Sequence, residues 1–402
     1  DDVRIIIYKT VEGRLNLLKK YFADLHIHIG RDMYDHPVKI TASKNLTLTN
    51  ILIEASRRKG IDIVGVIDSQ APAVQEEIQH LIKEEQAYEL HDGGIRFENV
   101  TLFLGAEIEV YDHHCQGPIH VLCYFPSLEL IGQFTKWLTA KMKNVHLSSQ
   151  RFYGSAIELQ EKVAELQGLF IPAHVFTPFK SVYGKGVKRS IKEILDVSLI
   201  DAIELGLSSD TLMADQIKEL HTFTFVTNSD SHSLAKIGRE YQQILLKEAT
   251  FLELKKALHH KEGRKIIANF GMNPRLGKYY STVCKKCMTK VQYKINTCPN
   301  CGSSVIVNGV YDRIKELKNT DVSPKRPKYY YQVPLEYLPG LGPKTFETLL
   351  QHFGTEMNVI HHVPIEELES VVPKKIAKLI HEMREGKQQI KAGGGGKYGK
   401  IK

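Results

Sequence analysis

From about residue 21 to 270, short apolar runs rich in β-branched residues alternate with stretches whose apolar positions recur at helical spacing. The strand-type runs are IDIVGVIDS, NVTLFLGAEIEVY, IHVLCYF, GLFIPAHVF, IDAIEL and FTFVTNSDSH. The helical ones are LTNILIEASRRKG, APAVQEEIQHLIKEEQAY, AIELQEKVAELQ and SIKEILDV. Strands alternating with helices predict a parallel α/β sheet. A stretch of this length fits one barrel-like domain with helices outside. Several strand runs end in polar residues, and the carboxyl ends of barrel strands are where active sites gather.

Two of these endings pose the same question. In YFADLHIHIG, Asp24, His26 and His28 alternate, and in FVTNSDSHS so do Asn228, Asp230 and His232. A period of two puts each trio on one face of an extended segment. Imidazoles spaced about 6–7 Å apart along a strand can share a metal ion. Other strand ends supply more ligand chemistry: Asp68 in VIDS, Glu107 and Glu109 in GAEIE, His120 at the start of HVLCYF, and His174 in PAH. Of the alternating glutamates, Glu107 is the expected ligand and Glu109 the solvated strand residue. A ring of His and carboxylate side chains from different strands is the form of a binuclear hydrolytic site, with one carboxylate between two ions.

Beyond the barrel the chemistry changes. CKKC and CPNC, separated by ten residues, place Cys284, Cys287, Cys298 and Cys301 in structural-zinc spacing. NTDVSPKRPKYYYQVP reads as a linker. PLEYLPGLGPKTFETLLQHFG then reads as helix, Gly-Leu-Gly turn, helix, and HVPIEELESVVPKKIAKLIHEM repeats the shape with Val-Val-Pro at the turn. The free N–H groups of a helix starting at Pro343 suit a phosphate. Gly340, Gly342, Lys344 and Thr345 are therefore candidate phosphate contacts, with Lys325, Arg326 and Lys328 nearby. The tail AGGGGKYGKI reads as a flexible end or a ligand-approaching loop.

Length and charge sharpen this division. A chain of 402 residues exceeds one ordinary core. Its net charge is +8, yet from Arg275 onward 22 Lys and Arg face 11 Asp and Glu, so the preceding part is slightly acidic. A near-neutral body with a basic appendage suggests catalysis joined to polyanion binding. Six cysteines, four of them in metal spacing, argue for a reducing, cytoplasmic setting. No apolar run long enough to span a membrane is present, and the first residues do not read as a signal peptide. No Walker-type loop is found, which argues against an ATP-driven motor.

The ordered set DLHIH, VIDS, GAEIE, IHVL, PAH and NSDSH resembles the polymerase-and-histidinol-phosphatase (PHP) family of metal-dependent phosphoesterases. The resemblance implies a distorted seven-stranded β/α barrel holding two or three divalent metals, zinc with magnesium or manganese as alternatives. His26, His28, Glu107 and Asp230 would hold one metal. Glu107 would bridge to a second held by His120 and His174, and His232 and Asp68 would belong to a third. Asp230, His232, Glu107 and Asp68 would be the catalytic set. The family often has His in place of Asp68, and another His a few residues past the HxH, where this chain reads GRDMYDH. His36 and Asp32 are substitutes there.

AHVFTPFKSVYG, ELGLSSD, SDSHS…IGREY, and NFGMNPRLGKYY followed by zinc knuckles and a helical hairpin resemble one subgroup, the endonuclease Q enzymes. This implies incision of DNA on the 5′ side of deaminated bases (uracil, hypoxanthine, xanthine) and abasic sites by a monomer, with a sliding clamp as a candidate further partner. The alternatives are another PHP phosphoesterase (a polymerase-type exonuclease or a small-molecule phosphatase) and a non-catalytic nucleic-acid adaptor. The expected layout is an N-terminal strand or linker over 1–20, the barrel over 21–272, a zinc module over 273–319, a linker over 320–333 and the helix-hairpin-helix domain over 334–402. A flipped base would meet Phe176, Phe179 and Tyr183 for stacking, and Ser208 and Ser209 on a tight turn.

Overall fold

A computed structural model describes residues 5–9, 15–387, 390–391 and 400–401. The glycine-rich stretch of the tail lies outside the described residues.

Backbone hydrogen bonds trace a closed circuit of strands. Leu15–Ile27 pairs in parallel with Ile63–Val66, which pairs in parallel with Val100–Val110. Val100–Val110 then pairs antiparallel with Ile119–Phe125, and that strand antiparallel with Leu169–Pro172. The Asp201 N–H donates to Phe170 O at 3.0 Å and the Val175 N–H to Glu204 O at 3.0 Å, linking Leu169–Pro172 to the short strand Ile203–Glu204. Ile203–Glu204 pairs in parallel with Phe225–Val226, and a bridge between Ser231 and Ile27 closes the ring.

The sheet is therefore mixed rather than all parallel. The turn at residues 111–118 joins Val100–Val110 to Ile119–Phe125 as a hairpin, because it is too short for a helical crossover. This reversal explains why His120 starts its strand while its partners end theirs: the strand runs the other way, so its start lies at the active end. Phe103, Leu122, Tyr124, Ile171 and Val226 fill part of the core between the strands. The helices Pro72–Lys83, Leu128–Thr139 and Ala156–Glu165 pack outside with one buried face each. SIKEILDV forms only two short 3₁₀ turns, Ile191–Glu193 and Val197–Leu199.

Two boundaries differ from expectation. Leu15–Ile27 begins inside the expected N-terminal linker, and Ile5–Lys9 pairs antiparallel with it as a hairpin. The expected linker at 320–333 contains the strand Lys328–Tyr331, which pairs in parallel with Lys265–Gly271. Lys265–Gly271 pairs with Tyr241–Leu246, and that strand with Leu15–Ile27. The linker is part of the catalytic sheet because its three tyrosines pack there; Tyr330 stacks on Phe270 with centroids 5.0 Å apart.

Val283–Cys284 and Ile306–Val307 form a small antiparallel pair around the four cysteines. Helices Pro343–Phe353, Glu356–His361, Ile365–Val371 and Lys374–Arg384 make the C-terminal unit. It docks on the barrel. Lys59 Nζ meets Glu356 Oε2 at 2.6 Å with both side chains under 5% exposed. His361 stacks on Phe22 with centroids 4.7 Å apart, and its Nε2 lies 2.6 Å from the Tyr241 hydroxyl. Among the described residues no helix is long and apolar enough to cross a membrane.

Candidate metal centre

Six side chains converge at one end of the barrel in two groups, His26, His28 and Asp230, and Glu107, His120 and His174, with the ligand atoms of each within 4.8 Å of one another. The groups adjoin. Glu107 Oε1 lies 2.8 Å from His120 Nδ1, 3.3 Å from His174 Nε2 and 3.6 Å from His26 Nε2. Glu107 thus stands between the groups, while Glu109 turns to Lys180 at 2.7 Å, with His120 Nε2 3.9 Å from it.

The imidazoles are aimed by neighbours. His26 Nδ1 faces Glu204 Oε1 at 2.9 Å, and Glu204 also accepts the His174 N–H at 2.8 Å. His28 Nδ1 faces Asp68 Oδ2 at 3.1 Å. A carboxylate behind a histidine fixes its tautomer and presents the other nitrogen to a metal. The remaining nitrogens of these two rings behave accordingly: Nε2 of His26 and of His28 are buried without a hydrogen-bond partner. Buried polar atoms are rarely left so. The residues present therefore fit divalent ions, and no rearrangement of the set is required.

Backbone strain is concentrated at the same place. His174 and Asp230 have φ of 30° and 45°, an uncommon region for residues with a Cβ. Arg239 braces the second: its Nε donates to Ser229 O at 2.7 Å and its Nη2 to Asp230 O at 3.2 Å. Asp24, the first member of the DLHIH trio, is no ligand. It accepts the Ser229 and Gly238 N–H groups at 3.0 and 2.9 Å and ties the Asp230 loop to the strand carrying His26. Gly206 serves His174, since a Cβ at Gly206 would meet the His174 Cβ at 2.8 Å.

Electrostatics match a cation site. Burial opposes ionisation of Glu107, but the His120 ring and the Lys39 ammonium outweigh it and hold its carboxyl well below the usual range. Burial alone would lower His26, yet Glu204 and Asp230 reverse this and push it up to about 10. The carboxylates gather positive charge, as protons on the histidines or as metal ions at the same lone pairs.

Several expectations are redrawn. Asp68 orients His28, with one oxygen accepting the Ile29 N–H at 2.8 Å and facing that ring, while its other oxygen is buried without a hydrogen-bond partner. His232 borders the cleft beside Asp230 at 3.4 Å and belongs to neither group. Asp32 and His36 form a surface turn, where Asp32 Oδ1 accepts the Tyr34 and His36 N–H groups at 2.9 Å each. Phe176 and Tyr183 cannot stack on a base. They are 1% and 0% exposed, stack on each other, and Tyr183 donates to Glu219 at 2.8 Å. Ser209 is buried, donating to Leu205 O at 2.6 Å. Phe179, 47% exposed, and Ser208 do line the cleft, and Tyr279 meets the Phe179 ring edge-on at 5.4 Å.

Sequence reasoning passed over Glu204, Lys39 and Tyr279. Glu204 had a signal, since it ends the strand run IDAIEL; the other two had none. The cleft has a volume of about 380 Å³ and is rimmed by Lys39, Lys180, Lys236, Arg239 and Lys278.

Away from the barrel, the four cysteine sulfurs approach one another, Cys284 to Cys301 and Cys287 to Cys298 each at 3.6 Å. Tetrahedral zinc–thiolate bonds imply sulfurs about 3.8 Å apart, so a structural zinc fits. Gly340 has φ of +86°, and Gly342 starts the helix Pro343–Phe353 without a side-chain cap. Lys344 and Lys325 are exposed and Thr345 is half-buried. Arg326 is taken out of the DNA-binding set. Its guanidinium lies 3.8 Å from the Phe225 ring centroid, and it donates to Asp215 at 3.0 Å and to Leu220 O at 2.9 Å.

Comparison with known proteins agrees with this geometry. Residues 343–387 match the family described as the MJ0043 C-terminal domain. The uncharacterized protein YqxK of Bacillus subtilis (strain 168) is 52% identical over 386 residues, covering 96% of this chain and 100% of the relative. The crystal structure of the lesion-specific endonuclease PfuEndoQ from Pyrococcus furiosus superposes with a TM-score of 0.83 at 34% identity, covering 95% of each chain. Endonuclease Q in complex with a 27-mer duplex substrate carrying an abasic lesion at the active site superposes at 0.82 and 34% identity, covering 95% of this chain and 96% of that one. With similarity over nearly the whole length, barrel, zinc module and helical domain together, the chain belongs to the endonuclease Q family of metal-dependent nucleases.

Proposed function

We propose that the protein is a DNA repair endonuclease that hydrolyses the phosphodiester on the 5′ side of deaminated bases and abasic sites. The observation that carries this reading is the convergence of orphaned imidazole nitrogens and paired carboxylates on the floor of a cationic cleft. It is supported by likeness to a protein seen with an abasic lesion at its active site.

His26, His28 and Asp230 would hold one divalent ion and His120 and His174 a second, with Glu107 between them. Bound there, the ions would polarise the phosphate, lower the pKa of a water and neutralise the leaving oxygen. The chain's own part is to fix that set. Glu204 and Asp68 hold the rings of His26 and His28, Arg239 holds the Asp230 turn, and the lysine rim draws in the phosphates. Gly340, Gly342, Lys344 and Thr345, with Lys325 and Lys328, would position the duplex by its backbone, and such contacts carry no sequence information. Lesion choice would come from a nucleotide turned out of the stack into the cleft. There Phe179 and Tyr279 offer a stacking wall and Ser208 a polar neighbour.

The test is incubation of the protein with duplexes carrying one uracil, hypoxanthine or abasic site, with and without chelator, and mapping of the nick. Chelator-sensitive incision 5′ to the lesion is expected. Release of mononucleotides from ends would favour the exonuclease alternative, and no cleavage of any duplex would end the endonuclease reading.

A further inference from the structure

The two oxygens of Glu107 face different chemistry. Oε1 is turned to His120, His174 and His26. Oε2 is turned to Lys39, whose Nζ lies 3.4 Å away, to the Ser149 hydroxyl, and to His28 Nε2 at 3.8 Å. Lys39 is an unusual rim residue. Its side chain is only 16% exposed, and its ammonium also donates to Ser149 Oγ at 2.6 Å.

The lysine is held by two loops tied together. The Lys39 N–H donates to Ile29 O at 2.8 Å, directly after the HxH strand, and the Ser148 N–H donates to Val38 O at 3.0 Å. Ser149 itself has φ of 54°, so its backbone is bent at the point where it meets the lysine. Of the other groups on this flank, Asp68 gives one oxygen to His28 and Ile29 and keeps Oδ1 buried without a partner, and Asp32 and His36 are engaged in a surface turn. Beside Glu107 Oε2, facing the cleft, stands a fixed ammonium.

We infer that Lys39 is the third cation of the centre, and that its ammonium contacts a non-bridging oxygen of the scissile phosphate. This rests on the phosphodiesterase reading above. In that step a bond forms between phosphorus and the oxygen of the attacking water, and the bond from phosphorus to the leaving oxygen breaks. The water proton passes to solvent, the leaving oxygen keeps the bonding electron pair and takes a proton from solvent, and Lys39 transfers none. A positioned cation aimed at charge that grows during phosphoryl transfer needs no proton transfer to act.

Lys39→Met and Lys39→Gln separate this role from a structural one, the second retaining a hydrogen-bond donor for Ser149. Three quantities are read for each: metal content by elemental analysis, affinity for an abasic duplex, and the single-turnover cleavage rate at saturating duplex. The expected result is unchanged metal content, duplex affinity within a few-fold of the parent, and a rate about 10²–10³-fold lower in both variants. Loss of metal would overturn the inference, making Lys39 a positioning residue for Glu107. A rate within about threefold of the parent in either variant would overturn it too. If the parent hydrolyses bis(p-nitrophenyl) phosphate but leaves the abasic duplex intact, the substrate reading fails alone. The same loss is then expected on that diester, and its absence refutes the role of Lys39.

Discussion

The ion pair between Lys59 and Glu356 should behave as the bolt between the barrel and the helical domain. At 2.6 Å and an effective dielectric of about 20, the attraction is roughly 6 kcal/mol before desolvation is subtracted. Each member also satisfies a backbone group: Lys59 donates to Ala235 O at 3.0 Å, and Glu356 accepts the Leu335 N–H at 3.0 Å. Lys59→Met strands a buried carboxylate and should cost about 3–5 kcal/mol. Glu356→Gln strands the ammonium and should cost a similar amount. The double variant should cost less than the two together, with a coupling of at least about 2 kcal/mol, because no charge is then left unpaired. The assay is hydrogen exchange of the amides in Glu356–His361, which reports local opening without assuming one global transition. A loss of 3–5 kcal/mol there means exchange roughly 10²- to 10⁴-fold faster in the single variants. Exchange within about fivefold of the parent, or additive effects, would refute the reasoning and place the pair with weak surface bridges.

Asp230→Asn should abolish cleavage while leaving duplex affinity within a few-fold, because affinity comes from phosphate contacts elsewhere; single-turnover assays and binding titrations check both halves. Cys298→Ser should remove one zinc per chain and destabilise the module at 283–307 while the barrel keeps its ions, as elemental analysis would show. Since Glu204 and Asp230 raise the proton affinity of His26, a metal ion must displace a proton there below that raised pKa. Apparent metal affinity should therefore fall as pH falls from 8 to 6, by about tenfold per unit for each proton displaced, in competition with a chromophoric chelator. Gly342→Ala meets open space and should fold normally, so any loss of affinity for intact and abasic duplex alike reports the phosphate grip; equal affinity would remove that turn from the interface.

The metal ligands were legible because their signal is local. Alternation at a strand end survives translation into geometry, as at His26 and His28, and four cysteines in two short pairs leave few other readings. What failed to read was orientation. Phe176, Phe179 and Tyr183 look alike in AHVFTPFKSVYG, yet Phe176 and Tyr183 are buried and stack on each other, with Tyr183 held by Glu219, and only Phe179 reaches the cleft. Arg326 and Lys325 are neighbours in a basic stretch. One lies on the Phe225 ring and the other in solvent, a difference set by the distant residues Asp215 and Leu220. Asp68 ends its strand as the other candidate ligands do, but that one of its oxygens stands behind His28 depends on depth, and period-two spacing does not encode depth. Lys39 belongs to no repeating pattern, so nothing short of the folded loops singled it out.

The pairing of Lys328–Tyr331 with Lys265–Gly271 bears on how the polypeptide avoids self-association. Without its partner, Lys265–Gly271 would end the sheet with a row of unpaired amides and carbonyls beside Ile266, Ala268 and Phe270. Such an open, apolar border invites pairing with another copy. The strand that covers it presents Lys328 to solvent and is preceded by Pro327, two features that discourage further addition. Cutting the chain before residue 325 to remove the helical domain would therefore also uncover this border, and precipitation, not merely weaker DNA binding, should follow. Catalytic body and helical domain are not separable at the apparent linker, because the last strand of the one is supplied by the segment that leads to the other.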